Sequence, residues 1–501
     1  MMQNSLDKLI GYFAPGLAVK RAADRVRLRA YEGASKGRRA QHWNAGRSSA
    51  DTELAIAGVE LRARSRDLER NNKHVAKAAS VHADNIVGEG IIPRANTDDK
   101  DLNKKIDDLF DDWVENCSPD GQQTFYSLQH QAARGMVVGG EMLARKRIRR
   151  SSDGLKIPLQ IQPIEPDLLD DAKVAENAAR NVVNGIEFDQ IGRRTGYWMF
   201  QVHPGTQKFW GKNNLQSRKV PADQIVHLYE AQRVQARGAP WTAPILLDVK
   251  DLQEYQTAEV WRKKIEACVV GAVIPNSDDL APTGDDNVLG VTMKDARGNN
   301  VTRMEPGMFV IAEGGKEVNF NNPAVTLSQE SYHRLATRDI AAGLRVPHVL
   351  MTGDTSQMNF STFRADMVAY KRFIRAQQQH YMLPMYCKPI YGWFLEMIQL
   401  LGLIEPRHIP VMWTLPRFEQ VNPIDDIRAD LMAVRAGFKT LKQVQTEYGN
   451  NHDQWIAQVV EINEALDDKD IVLDTDPRHT TLQGQMQLSE TNDGGTGADQ
   501  E

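Results

Sequence analysis

Leu61-Arg62-Ala63-Arg64-Ser65-Arg66-Asp67-Leu68-Glu69-Arg70-Asn71-Asn72 runs on to Asn85-Ile86-Val87-Gly88-Glu89-Gly90-Ile91. Ser48-Ser49-Ala50-Asp51 ahead of it supplies N-cap chemistry, and Asp67 and Asn71 are interleaved with Arg62, Arg64, Arg66 and Arg70. The pattern predicts helix over 48–90, broken by Gly88-Glu89-Gly90. Further on, Leu102, Ile106, Leu109, Phe110 and Trp113 recur at helical spacing over 98–115. A further helix over 124–138 stops at Gly139-Gly140. The period then changes to two. Met142 to Ile148 alternates apolar with basic residues, and Leu159-Gln160-Ile161-Gln162 alternates cleanly, so these are strands with one wet face. Gly185 to Gln201 fits a hairpin turning near Gly192.

From Pro244 a helix runs to about Cys268, with Leu252, Tyr255, Trp261 and Ile265 as its apolar stripe. Residues 272–325 are rich in Gly, Asn and Asp with short strand-like pieces such as Met308-Phe309-Val310-Ile311, a small module inserted between helices. A second helix follows at about 328–343, then the loop Thr352-Gly353-Asp354-Thr355-Ser356. Phe360, Phe363, Met367, Tyr370 and Ile374 then mark a long helix that Pro384 and Pro389 should kink rather than end. A short Pro-rich strand region covers 406–422, residues 425–466 are helical again, and the polar, acidic end after about Asp467 is expected to be disordered. The element order is α+β, mainly helical.

The 501 residues allow about three domains at roughly 150 residues each. With 41% hydrophobic and 25% charged residues, the composition excludes a mainly disordered or collagen-like chain. A net charge of −5 excludes a chain that coats nucleic acid through its overall charge. The charge is uneven, however. Residues 1–50 hold ten Lys/Arg against three Asp/Glu, and residues 464–501 hold two basic against ten acidic residues. The basic run Lys20, Arg21, Arg25, Arg27, Arg29, Lys36, Arg38, Arg39 suits a solvated face or arm, or contact with an acidic partner. Cys117, Cys268 and Cys387 are far apart and form no CxxC pair, so neither a disulfide framework nor a zinc site is indicated. Neither a signal peptide nor a run of eighteen apolar residues is present, so no membrane partner is expected.

The sequence shows no enzyme signature. It lacks GxxxxGKS or GxxxxGKT, HExxH, GxSxG, and a GxGxxG after a strand. No catalytic residue, cofactor or metal is expected. His74 and His82 are read as surface or interface residues, and Asp107-Asp108 and Asp111-Asp112 as a solvated helix face. This absence of motifs favours a structural or assembly protein.

Taken in order, these stretches resemble the portal proteins of tailed bacteriophages, lambda family. The resemblance rests on the opening arginine-rich stretch with Asn85–Ile91 and on Phe110-Asp111-Asp112-Trp113 with Cys117 and Asp120-Gly121. It continues through Arg134 before Gly139-Gly140-Glu141-Met142-Leu143, Gln160-Ile161-Gln162-Pro163-Ile164-Glu165-Pro166-Asp167, and the hairpin from Asn184 to Trp198. His227-Leu228-Tyr229, Arg237-Gly238-Ala239-Pro240-Trp241, Val346-Pro347 and His408-Ile409-Pro410 complete it. Together they span about residues 30–465. Val421-Asn422-Pro423-Ile424-Asp425 departs from the family, which usually has Asp-Pro followed by a lysine there.

The resemblance implies a ring, typically of twelve copies, at one capsid vertex, through which a separate terminase threads double-stranded DNA. It maps the chain as a basic arm (1–47), wing (48–243), stem helix (244–271), clip (272–325), second stem helix (326–350), tunnel loop (351–359), long kinked helix with wing strands (360–424), crown (425–466) and acidic tail (467–501). The DNA-facing candidates are then Thr352, Asp354, Thr355, Ser356, Gln357 and Asn359, a set without Lys or Arg. Asp278, Asp279, Asp285 and Asp286 of the clip would meet the terminase large subunit and later the head–tail connector. Arg25, Arg27 and Arg29 would meet capsid, scaffold or another acidic partner. The place of action is the virion, after assembly in the host cytoplasm. Another virion part, such as a head–tail adaptor or scaffold, or less readily a DNA-processing enzyme, stays open at this level.

Overall fold

The computed structural model describes residues 46–173, 181–206, 216–273, 292–294, 300–302, 308–311, 329–416, 423–448 and 452–473, with residues 12, 16 and 478. Contacts divide the chain into Met1–Glu53 and Leu54–Glu501. Apart from the first turn of its first helix, everything below belongs to the second unit.

Helix α1 (Ala50–Asn71) begins with Asp51 and Glu53 and ends with Arg70, each sign matched to the helix dipole at that end. The region read as helical over 48–90 holds two helices. The Asn72 side chain accepts from the backbone N–H of His74 and Val75, so it caps a new helix, α2 (Lys73–Val87). Strand β1 (Ile92–Ala95), α3 (Lys100–Asn116) and α4 (Phe125–Gly139) follow, the two helices capped by Asp99 and Thr124. On α3, Ile106, Leu109, Phe110, Trp113 and Val114 turn inward, while Asp108, Asp111 and Asp112 stay in water. Asp107 is half-buried and accepts the Ala95 N–H at 3.0 Å, and burial raises its pKa to about 6. The interior is aromatic: Phe110 lies 5.1 Å from Phe394, 5.2 Å from Tyr391 and 5.5 Å from Trp113, ring centre to ring centre. Trp113 Nε1 donates to the Leu159 carbonyl at 2.8 Å, which satisfies its buried polar atom.

Strand β2 (Glu141–Ile148) is the centre of an antiparallel three-stranded sheet, ordered β3-β2-β8, with β3 at Leu159–Ile164 and β8 at Ile225–Tyr229. The strands β4 (Asn181–Val183), β5 (Ile186–Phe188), β6 (Arg194–Met199) and β7 (Arg218–Pro221) form a second antiparallel sheet in sequence order. The expected 185–201 hairpin is its middle pair.

Helix α5 (Leu246–Cys268) leads into β9 (Val269–Val273), which pairs in parallel with β12 (Met308–Ile311). Between them, β10 (Thr292–Lys294) pairs with β11 (Asn300–Thr302). Helix α6 (Gln329–Gly343) returns beside α5, with Tyr255 and Tyr332 4.8 Å apart in an edge-on contact. It spans nearly the 328–343 read from the sequence. Arg345 adopts φ +59, Pro347 removes a donor, and a separate short helix, α7 (His348–Thr352), follows. Arg345 is held in this left-handed conformation by two hydrogen bonds to Glu230 at 2.7 and 2.8 Å, and its guanidinium lies 4.2 Å from the Trp241 ring.

Asn359 and Thr362 form a capping box that starts α8 (Phe360–Gln377). Where the prolines were expected to kink the chain, the helix widens to a π-type stretch, Gln378–Cys387, before α9 (Lys388–Leu400). Pro384 lacks an N–H, and the wider winding accommodates that loss without a break. Strand β13 (Val411–Thr414) pairs with β1. The region read as helical over 425–466 is made of three helices: α10 (Pro423–Arg435), α11 (Leu441–Glu447) and α12 (His452–Asp467). Gly437, at φ +76, turns the chain between the first two. Ile424, Met432 and Phe438 of this group are 65, 69 and 85% exposed. No helix among the described residues is long and apolar enough to cross a membrane.

Candidate functional site

Two constellations stand out, a polar loop between α7 and α8 and a buried charge network built from residues earlier in the chain. Thr352 is the last residue of α7 rather than a loop residue, and its hydroxyl donates to His348 O at 2.8 Å. Gly353 takes φ +75 and closes the helix through its N–H to Val349 O. Asp354 accepts from both the backbone N–H (3.0 Å) and the hydroxyl (2.6 Å) of Ser356, bonds that hold its carboxyl below the usual range. Asn359 Oδ1 is committed to Thr362 N and Ser361 Oγ as the cap of α8, so it is not free to meet a ligand. Thr355, Ser356 and Gln357 are exposed, and the Thr355 and Gln357 side chains make no hydrogen bond among the described residues. Of the six candidates, the structure therefore presents Thr355, Ser356 and Gln357 outward and uses Thr352, Asp354 and Asn359 to shape the turn.

The loop is not isolated from cations. Arg334 of α6 reaches it, with Nε 3.4 Å from Asp354 Oδ2 and Nη2 3.5 Å from Ser356 Oγ, while Nη2 also donates to Glu330 at 2.8 Å. His348 Nε2 lies 3.0 Å from the Thr337 hydroxyl, which ties α7 to α6.

The second constellation is centred on Glu141, which is fully buried at the start of β2. Arg237 Nε donates to its two oxygens at 2.8 and 2.9 Å, His227 Nε2 donates at 2.8 Å, and Gly238 N donates at 3.1 Å. Arg237 also binds Asp171 and the Asn184 carbonyl, and Arg62 of α1 binds Asp171 at 2.8 Å. Arg194 Nη1 donates to His227 Nδ1 at 2.7 Å, so Nδ1 must be unprotonated and Nε2 carries the hydrogen. Burial opposes charge on Glu141, but Arg237 and His227 outweigh it and hold the carboxyl far below its usual range. Burial, with the two arginines, lowers the His227 pKa to about 4. The network joins α1, both sheets and the segment that enters α5.

Two glycines permit this approach. Gly140 takes φ +83 against the Ala239-Pro240 backbone, and a Cβ on Gly238 would overlap the Gly140 carbonyl. Gly238→Ala should destabilise the fold by about 3 kcal/mol, read as a fall in the urea midpoint with unchanged slope.

Nearby, Glu165, Asp167 and His203 bring ligand-type atoms within 4.8 Å of one another. Asp167, however, binds Arg66 at 2.5 Å and lies 3.5 Å from Arg62, so arginines already balance its charge.

The family described as phage portal protein, lambda family, matches residues 36–378, well over half of the chain and inclusive of both constellations. The chain belongs to the lambda family of phage portal proteins. The probable portal protein of Halomonas phage phiHAP-1 is 23% identical over 421 residues, covering 80% of this chain and 79% of that one. Portal protein B of Escherichia phage lambda is 20% identical over 485 residues, covering 85% and 88%. A chain from the virion of a native gene transfer agent particle superposes with a TM-score of 0.43 at 16% identity, over 81% of this chain and 99% of that chain.

For this portal-family chain, the arm residues Arg25, Arg27 and Arg29 and the clip residues Asp278, Asp279, Asp285 and Asp286 lie outside the described residues. His82, read as a surface or interface residue, is fully buried. Its Nε2 lies 2.8 Å from Leu344 O and its Nδ1 3.2 Å from Tyr370 Oη, so both nitrogens are satisfied inside. Sequence reasoning did not assign Arg334, whose only signal is its place four residues after Glu330 on a helix face.

Proposed function

We propose that this chain assembles into a ring, of twelve copies as is typical of its family, at one vertex of a phage capsid. There it conducts double-stranded DNA inward during packaging and outward during ejection. The ring would dock the terminase large subunit and then a head–tail connector, and would contact the major capsid and scaffold proteins. It would act in the virion, after assembly in the host cytoplasm, as a structural part without catalysis of its own. The observation that carries this reading is the family match over residues 36–378. The exposed Thr355, Ser356 and Gln357 support it, because a conduit must pass phosphate without holding it, and every neutralised phosphate adds salt-dependent affinity.

Negative-stain imaging of the purified full-length protein tests this. Rings with a central hole wide enough for B-form DNA are expected, and a protein that stays monomeric or forms open filaments would overturn the reading. The clip assignment has its own test. Deleting residues 278–287 removes Asp278, Asp279, Asp285 and Asp286 and should leave rings intact while weakening capture of terminase, the more so at low salt where charge attraction reaches further. Unchanged capture would show that terminase docks elsewhere.

A further inference from the structure

Arg334 and Arg338 sit four residues apart on α6, on the face that also carries Glu330. Arg338 is exposed and has no ion pair or hydrogen bond among the described residues. Arg334 is 22% exposed, and its partner across the loop, Asp354, is 34% exposed. The loop between α7 and α8 has no cation of its own, so α6 supplies the positive charge behind it. Asp354 sits over that charge as an acceptor carried by the same chain. Its geometry is that of an oxyanion facing a guanidinium, the arrangement that a DNA phosphate would also make.

We propose that Arg334 and Arg338 form a site for the phosphate backbone of duplex DNA, and that Asp354 occupies it from within. This rests on the channel reading above. A carboxylate about a third exposed, at 3.4 Å, is a weak partner. A duplex presents one phosphate charge per about 1.7 Å of its axis, so its phosphates outnumber Asp354 wherever DNA fills the channel. The exchange leaves the loop folded, because Asp354 keeps its bonds to the Ser356 N–H and hydroxyl through its other oxygen, Oδ1, whether or not Oδ2 meets Arg334. Asp354 thus lowers the grip of the ring on DNA without removing the arginines that could provide it. The other charged groups lining the adjoining groove are Arg345, His348 and Asp366. Arg345 is already bound to Glu230, so the acidic groups that compete with phosphate besides Asp354 are Asp366 in that groove and Glu330, which accepts from Arg334 Nη2 at 2.8 Å but is 83% exposed.

The test uses intact wild-type and variant rings, a fluorescent random-sequence duplex and anisotropy titrations across a salt series. Asp354→Asn keeps an oxygen for the Ser356 bonds and removes the charge. It should raise duplex affinity about tenfold at low salt and steepen the log–log salt slope by about 0.9 for each phosphate newly engaged. Adding Arg334→Gln and Arg338→Gln to it should return both quantities to the wild-type values. Wild-type affinity and slope in Asp354→Asn, or a gain that survives loss of both arginines, would overturn the proposal. A Gln357→Arg ring separates the two readings. If it binds DNA more tightly while Asp354→Asn does not, the shielded site alone is wrong; if neither variant changes binding, the loop does not face DNA and both fall.

Discussion

Glu141→Ala chains are expected to unfold or aggregate rather than form rings. The substitution leaves Arg237 at the centre of the protein with its main counter-ion gone and leaves the Gly238 N–H and His227 Nε2 without their acceptor. Removing one partner of a buried ion pair costs about 3–5 kcal/mol, against a total of about 5–15 kcal/mol for a typical domain. Asp171 and the Asn184 carbonyl still hold one end of Arg237, which limits the loss but does not replace a carboxylate that takes both Nε and Nη2. Glu141→Gln should fall between the two, since its amide retains one acceptor. Urea unfolding of the soluble fraction and the yield of rings are the measurements. A Glu141→Ala midpoint within error of wild type would show that the network does not stabilise the fold.

The same network and its neighbour give the protein an acid limit. His227 and His82 are both buried, and burial first of all lowers each pKa from 6.5 to about 4. In the unfolded chain they regain ordinary values. Between pH 6.5 and 4 the unfolded state therefore binds protons that the folded state does not, and stability falls as pH falls. Each histidine contributes a slope on the order of 1 kcal/mol per pH unit in that window. Asp107, its pKa raised to about 6, acts in the opposite sense and offsets part of this fall. The urea midpoint should still drop from pH 6.5 to 4, more steeply in an Asp107→Asn variant, and a flat midpoint in that variant would contradict the buried, neutral assignment of both rings.

The legible parts of this fold were those whose cause is local. The strand from Met142 to Ile148 and the helix from Phe360 to Ile374 are each written within one element and lie where expected, but the expected wet face of the strand is absent, since Glu141 to Ala144 are buried on both faces and Ile148 is exposed. Asn72 was invisible because one more polar residue in a polar helix does not disturb periodicity, although its side chain divides α1 from α2. His82 read as a surface or interface residue because its partners, Leu344 and Tyr370, lie hundreds of positions away. Glu141 and Arg237 were both present in the stretches that carry the family resemblance, yet nothing in either stretch says that they meet. The loop posed the same problem. Its own residues are free of Lys and Arg, and the arginine that faces it arrives from a helix earlier in the chain.

A ring of Gln357→Arg chains should package DNA slowly or stall. Gln357 is exposed, it makes no side-chain hydrogen bond among the described residues, and it lies between the Asp354–Ser356 turn and the Asn359 cap. The substitution therefore disturbs no contact of the fold, and rings should assemble at normal yield. What changes is the surface shown to the duplex. A neutral amide exchanges a phosphate hydrogen bond for one to water, a difference of about 1 kcal/mol or less, so a moving duplex breaks such contacts one at a time. An arginine instead makes a charge-assisted, two-pronged bond to phosphate, and symmetry repeats it around the ring. Each phosphate so neutralised also makes retention depend on salt with a log–log slope of about −0.9. The packaging defect should therefore be largest at low ionic strength and shrink as salt rises, whereas a defect in folding or terminase docking would not improve in that direction. Packaging at the normal rate in low salt by intact Gln357→Arg rings would remove this loop from the wall of the channel.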